Sequence, residues 1–134
     1  MLKHVKKETR GFTRVRFSTK AEVEVNGAML HGDVVDMSMS GIYMRSHAKV
    51  MVGDTCEVRI MLGNDAPMVM HALGHVARCD GDGFAVNFSG FYCDSDTCLK
   101  QVILHAVDNP KAVEEEIRKG PKLSVISPDN SVYL

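Results

Sequence analysis

From Arg14 to Val25 apolar and polar residues alternate, with Val15, Phe17, Thr19, Ala21, Val23 and Val25 on one face and Arg16, Ser18, Lys20, Glu22 and Glu24 on the other. Period two marks a half-buried strand, because successive side chains point to opposite faces. Asn26-Gly27 follows at once, and both residue types tolerate the positive φ that a two-residue hairpin turn demands. A second strand is therefore predicted through Met29 to Met37. Ile42-Tyr43-Met44 reads as a third, and Cys56, Val58, Ile60 and Leu62, alternating with Glu57, Arg59 and Met61 after a Gly53-Asp54 turn, read as a fourth. Pro67 to Cys79 gives a fifth, and the Asp80-Gly81-Asp82-Gly83 turn leads into a sixth at Phe84 to Phe88. Short strands joined by tight turns, with no helical period among them, predict a mainly β fold: a small, closed, six-stranded antiparallel barrel without exposed edges.

The period changes at Asp94. Leu99, Val102, Ile103, Ala106 and Val107 recur at helical spacing behind the N-cap candidates Asp94 and Asp96, so a helix is expected to lay its apolar stripe on the barrel. Asn109-Pro110 starts a second helix and Gly120-Pro121 stops it; only Val113 and Ile117 offer it a core face. Leu123 to Leu134 has no clear period and is open to three readings, as a strand, a partner-docking tail or a disordered tail. The expected organisation is a flexible basic segment at 1–13, a barrel with its packing helix at 14–109, and a second helix and tail at 110–134.

A chain of 134 residues with 45% hydrophobic content supports one domain with a real core. The net charge of −1 hides an asymmetry. Residues 1–20 hold Lys3, Lys6, Lys7, Arg10, Arg14, Arg16 and Lys20 against Glu8, whereas Glu114, Glu115 and Glu116 form an acidic run near the other end. That distribution argues against general affinity for long nucleic acid and favours a small anion held at one basic end. No apolar stretch is long enough to span a bilayer and no apolar signal region follows the basic start, so a cytoplasmic protein without membrane insertion is expected. Cys56, Cys79, Cys93 and Cys98 lack any CxxC spacing and are expected to be buried, reduced thiols.

Two motifs carry the candidate chemistry. Arg10-Gly11-Phe12-Thr13-Arg14 reads RxxxR, and Asp36-Met37-Ser38-Met39-Ser40-Gly41 reads DxSxxG. They combine two forked guanidinium donors with a carboxylate, a hydroxyl and a glycine turn, the set needed to grip a phosphorylated guanine ligand. Read without a ligand, RxxxR is a solvated basic loop before a strand and DxSxxG an Asx- or Ser-stabilised turn; their joint presence favours the ligand role.

On these residues the chain resembles a single-domain PilZ protein, a member of a bacterial family of receptors for the second messenger cyclic di-GMP. Gly83 to Phe88 is similar to the family's late GhxhxF-like strand, and Asp94 to Val107 to the helix after it. The resemblance implies a six-stranded PilZ-type barrel with C-terminal helices, a basic N-terminal loop that folds over cyclic di-GMP, and a DxSxxG turn that holds the ligand from the barrel surface. Arg10 and Arg14 are then expected to meet phosphate oxygens or the O6/N7 edge of guanine, or to stack on a purine face. Asp36 is expected to accept from guanine N1–H and N2–H₂, Ser38 to donate to a phosphate or base and brace the loop, and Gly41 to permit positive φ or close approach to the ligand. Arg45, four residues past Gly41, is a further candidate contact at the same barrel end. Members that bind an intercalated pair of ligands carry another Arg immediately before RxxxR; here that position is Thr9, which points to one ligand per protomer.

A monomer is expected, and, because both arginines lie outside the alternating strand pattern, one that changes shape on binding; the resemblance further implies that it acts on a separate, unidentified protein partner in motility, chemotaxis, adhesion or exopolysaccharide output. Two alternatives stand beside it: a nucleotide-independent PilZ-like interaction module, and a small β-barrel nucleic-acid binder, which would need exposed aromatics within a basic stripe. Catalysis finds no support, since no Ser or Cys nucleophile has an evident His base and no carboxylate pair has a recognisable motif around it. No cofactor and no metal are expected, because His71 and His75 have no third ligand at recognisable spacing. The methionines, among them Met37, Met39, Met44, Met68 and Met70, are expected to fill the barrel core.

Overall fold

The computed structural model describes residues 6–7, 12–62 and 68–126. Its strands are β1 (Lys6–Lys7), β2 (Thr13–Val25), β3 (Ala28–Ser38), β4 (Gly41–Arg45), β5 (Thr55–Leu62), β6 (Met68–Cys79), β7 (Gly83–Tyr92) and β8 (Ser124–Ile126), with helices α1 (Ser95–Ala106) and α2 (Pro110–Lys119) between β7 and β8. Antiparallel pairing runs β2-β3-β4-β7-β6-β5, and β5 returns to β2 through Ala21↔Ile60 to Val25↔Cys56, which closes a six-stranded barrel. The six strands are those the alternation predicts. β1 adds to the start of β2, and β8 adds to the end of β7 as the one parallel pairing among the described residues. Of the three readings of the tail, the strand holds for Ser124–Ile126; residues 127–134 lie outside the described residues, as does Pro67 at the expected start of the fifth strand.

The hairpin turn is as its sequence demands, with Asn26 at φ 52° and Gly27 at φ 83°. Inward positions of β2 bury Val15, Ala21, Val23 and Val25 against Met37, Ile42, Met44, Val58, Ile60, Met70 and Val86 from the other strands. Leu99 and Ile103 of α1, both buried, join this core, each worth about 1.5–3 kcal/mol of transfer free energy. Asp94 takes the N-cap position of α1 but makes no side-chain capping bond, and Asp96 lies in the first turn. Instead the hydroxyl of Ser95 accepts the His71 N–H at 2.9 Å and pins the helix start to β6. In α2, Asn109 does cap, accepting from Ala112 N–H at 3.2 Å, and the Lys122 ammonium donates to the carbonyls of Ile117 and Arg118 at the other end. Val113 is buried and Ile117 partly buried against the core.

Two expectations about burial need correction. Met37, Met44 and Met70 do fill the core, but Met39 is half-buried, Met68 is exposed and Met51 and Met61 are more so; the last three stand at outward positions where flexible side chains meet solvent. Of the cysteines only Cys56 is buried; Cys98 is intermediate and Cys79 and Cys93 are exposed, because these two fall at the end of β6 and just past β7. Burial, with the nearby Asp54 charge adding, pushes the Cys56 thiol up to about 11 from an ordinary 9.0. The folded state therefore holds this proton more tightly than the unfolded chain. Its contribution to stability is fully present below the unfolded thiol value and is lost as pH rises from there through about 11. Denaturant midpoints measured between pH 8 and 11 are expected to fall over that window, and the fall is expected to be smaller in Cys56→Ala.

Candidate functional site

β2 and β3 leave the Asn26-Gly27 turn as a tight hairpin, and its open end brings the motif residues together. Cross-strand pairing sets Arg16 opposite Asp36 and Asp36 opposite Tyr43. Arg14, one inward residue away on β2, reaches across so that its Nε donates to Asp36 Oδ1 at 2.6 Å, while its Nη1 lies 3.5 Å from Ser38 Oγ. The Arg14 side chain is 14% exposed and that of Asp36 30%, so the ion pair sits at the surface with its outer edge open to water. Ser38 lies wholly beneath it. Its Oγ accepts the Ser40 N–H at 3.0 Å and shares a hydrogen bond with Ser40 Oγ at 2.9 Å, and the Ser40 carbonyl in turn accepts the Phe88 N–H at 2.8 Å. The turn is thus braced from within and tied to β7. Ser40 was not singled out from sequence, although it falls inside DxSxxG.

Gly41 does not take the positive φ that was one of the two expectations for it. Among the described glycines only Gly27 and Gly53 have positive φ. A Cβ on Gly41 would run into the Val86 carbonyl oxygen and lie 3.2 Å from Asn87 Cα. The residue is glycine because β4 lies directly on β7 there.

Arg10 and Gly11 lie outside the described residues. The rest of the first motif is anchored to α2. Phe12 is buried, and Gly120 leaves the room its ring occupies, since a Cβ there would meet Phe12 Cε1 at 2.7 Å. Both the N–H and the hydroxyl of Thr13 donate to the Glu116 carboxylate, at 2.5 and 2.9 Å. In sequence Glu116 belongs to the acidic run Glu114–Glu116, and only its position one turn beyond Val113 hints that it faces inward. Glu116→Ala is expected to cost about 1–2 kcal/mol in urea denaturation, since it strands a half-buried N–H, and to speed amide exchange at Thr13.

Arg45 is not brought into this group. It stands at the far end of β4, opposite Asp33 and Gly83 and exposed, roughly 13 Å along the strand from Gly41 at 3.3 Å per residue. It shares the outer face with Tyr43, so only a ligand extended along the barrel wall could touch both ends. Tyr43 itself is part of an outer rung running Arg16, Asp36, Tyr43, Ala85, Arg78 across β2, β3, β4, β7 and β6. The Arg78 guanidinium lies over the Tyr43 ring, 5.2 Å from its centroid, and the Tyr43 hydroxyl donates to Asp80 at 2.8 and 3.0 Å. The bonds from Tyr43, Asp82 N–H and Gly83 N–H hold the Asp80 carboxyl below the usual range.

A cavity of about 370 Å³ opens between α1, α2 and the barrel, lined by Phe12, Met39, Phe91, Lys100, Ile117 and Leu123 among others. Its lining does not include Arg14 or Asp36, which lie on the barrel surface. Among the described residues no three His, Cys, Asp or Glu side chains are grouped to hold a metal, and no helix is long and apolar enough to cross a membrane. The arrangement is suited to gripping an anion with hydrogen-bond donors and acceptors at its edge.

Comparison with known proteins agrees with this architecture. Among solved structures the chain is similar to the inhibitor of motility MotI/DgrA of Bacillus subtilis, with a TM-score of 0.65 and 12% identity over 73% of this chain and 51% of that one. The likeness is one of fold, and this chain spans about half the length of that neighbour. No curated protein matches. The PilZ domain family model matches residues 8–104, from the first motif through most of α1. The chain belongs to the PilZ domain family.

Proposed function

We propose that the protein is a cyclic di-GMP-binding adaptor. The observation that carries this reading is the meeting of Arg14, Asp36 and Ser38 in one hydrogen-bonded group on the barrel surface, at the positions of the two motifs. Arg14 supplies a planar fork for a phosphate or a guanine O6/N7 edge. Asp36, already oriented by Arg14, accepts from guanine N1–H and N2–H₂, which adenine cannot offer. Ser38 and Gly41 hold the turn in shape, Arg10 adds the second guanidinium from the preceding segment, and Arg45 is reached only along the barrel wall. One ligand per protomer follows from Thr9 in place of a further arginine.

The protein works as a binding module and not as an enzyme, in the cytoplasm and as a monomer. Ligand closes the basic segment over the site and changes the surface offered to a protein partner. MotI/DgrA is an inhibitor of motility, which supports motility as one output of such an adaptor beside chemotaxis, adhesion and exopolysaccharide synthesis. Isothermal titration with cyclic di-GMP beside cyclic di-AMP tests the reading. Saturable heat with the guanine ligand alone is expected; no heat with either sinks it and leaves a nucleotide-independent interaction module.

A further inference from the structure

We propose that Tyr43 and Arg78 form a second half of the ligand site, a stacked ring and guanidinium that take a purine base of the nucleotide held at Arg14 and Asp36. This rests on the nucleotide-binding reading above. The outer rung places Tyr43 directly across from Asp36, and the next two strands carry Ala85 and Arg78. Neighbouring strands lie about 4.8 Å apart, so the Tyr43 ring stands one strand from Asp36, and the Arg78 guanidinium reaches back from two strands further on to lie over it.

Three features make this stretch of wall a prepared surface. Ala85 is buried between the larger residues, so nothing tall stands between Tyr43 and Arg78. The Tyr43 ring is fixed at its hydroxyl by Asp80, which is itself held by two backbone N–H groups of the Asp80–Gly83 turn at 2.9 Å each. Arg78 lies over the ring while its side chain remains 64% exposed. A flat aromatic with a guanidinium on it is a stacking platform for any base, and it adds cation–π attraction without reading sequence. Asp36 then selects guanine by its edge, and Tyr43 with Arg78 contributes affinity beside it by stacking.

The test is titration of cyclic di-GMP into the full chain, wild type beside Tyr43→Leu, Tyr43→Phe, Arg78→Ala and Arg78→Lys, with melting curves to confirm folding. Base stacking of this kind is worth enough that Tyr43→Leu and Arg78→Ala are expected to weaken binding about tenfold. Tyr43→Phe keeps the ring and is expected to bind within about threefold of wild type, whereas Arg78→Lys keeps charge without the plane and is expected not to restore affinity. The chain has three Tyr and no Trp, so ligand quenching of tyrosine emission is a second readout, expected in wild type and lost in Tyr43→Phe although that variant still binds. Wild-type affinity in Tyr43→Leu and Arg78→Ala, or full rescue by Arg78→Lys, overturns the platform while leaving the Arg14–Asp36 site standing. No binding by wild type overturns both.

Discussion

Arg14→Ala is expected to lower affinity for cyclic di-GMP by a hundredfold or more, read by isothermal titration. Two charge-assisted hydrogen bonds from one fork, each worth about 1.5–3 kcal/mol, together exceed the 2.8 kcal/mol or so that a hundredfold represents. The substitution also releases Asp36 from the bond that orients it, so both ends of guanine recognition fail together. Arg14→Lys separates charge from geometry: an ammonium can neutralise a phosphate but cannot make the paired contact, and it is expected to recover only a small part of the loss. The fold is expected to survive, because Asp36 is open enough to be hydrated once its partner is gone and exposed pairs contribute about 1 kcal/mol or less. Unchanged affinity in Arg14→Ala would show that the ligand, if any, binds elsewhere.

The second large effect concerns the turn glycine. Gly41→Ala is expected to destabilise the protein by about 3 kcal/mol and lower its melting temperature by roughly 10 °C. The atoms in the way are the Val86 carbonyl and the Asn87 backbone; backbone of a central strand cannot rotate aside, so β4 must part from β7. The gain from a stiffer unfolded chain, about 0.4–1 kcal/mol for Gly→Ala, offsets only part of this. Gly53→Ala makes an informative contrast. Space is open around Gly53, but its φ of +96° is strained for alanine, so a cost nearer 1 kcal/mol is expected. A Gly41→Ala protein that melts within two or three degrees of wild type would remove the packing explanation for this motif position.

Both cases show where the sequence was informative and where it fell short. Strand alternation in β2 and the Asn26-Gly27 turn depend on neighbours in the chain, and they give the barrel its strands and its first hairpin directly. The Arg14–Asp36–Ser38 group does not follow from the turn alone: its register would set Arg14 opposite Met39, and a one-residue shift between Arg16 and Thr19 brings Arg16 opposite Asp36 and Arg14 within reach of it. What local pattern could not convey is long-range. Gly41 answers to Val86, Ser95 to His71 and Glu116 to Thr13, and each partner is known only when non-adjacent strands or helices meet. The position of Arg45 shows the same limit: counting residues from Gly41 gives distance along β4 but not that the strand leads away from the group. Exposed Cys79 and Cys93 show that an apolar sequence context does not fix which side of a strand end faces water.

Separation along the chain also sets an order of events in time. Arg14 meets Asp36 and Ser38 across 22 and 24 residues within one hairpin, whereas the barrel shuts only when Ala21 finds Ile60, and Thr13 reaches Glu116 across 103 residues. Loop closure slows with such separations, and hairpins form in about 1–10 μs. The contacts of the hairpin are therefore expected to form before the barrel closes, and those of α2 after it, an order that pulsed amide exchange would read. Synthesis on the ribosome runs in the same direction, at about 5–20 residues per second: several seconds pass between the addition of Ser38 and that of Glu116, so the segment that holds Arg14, Asp36 and Ser38 exists for that interval without the helix that finally secures Thr13.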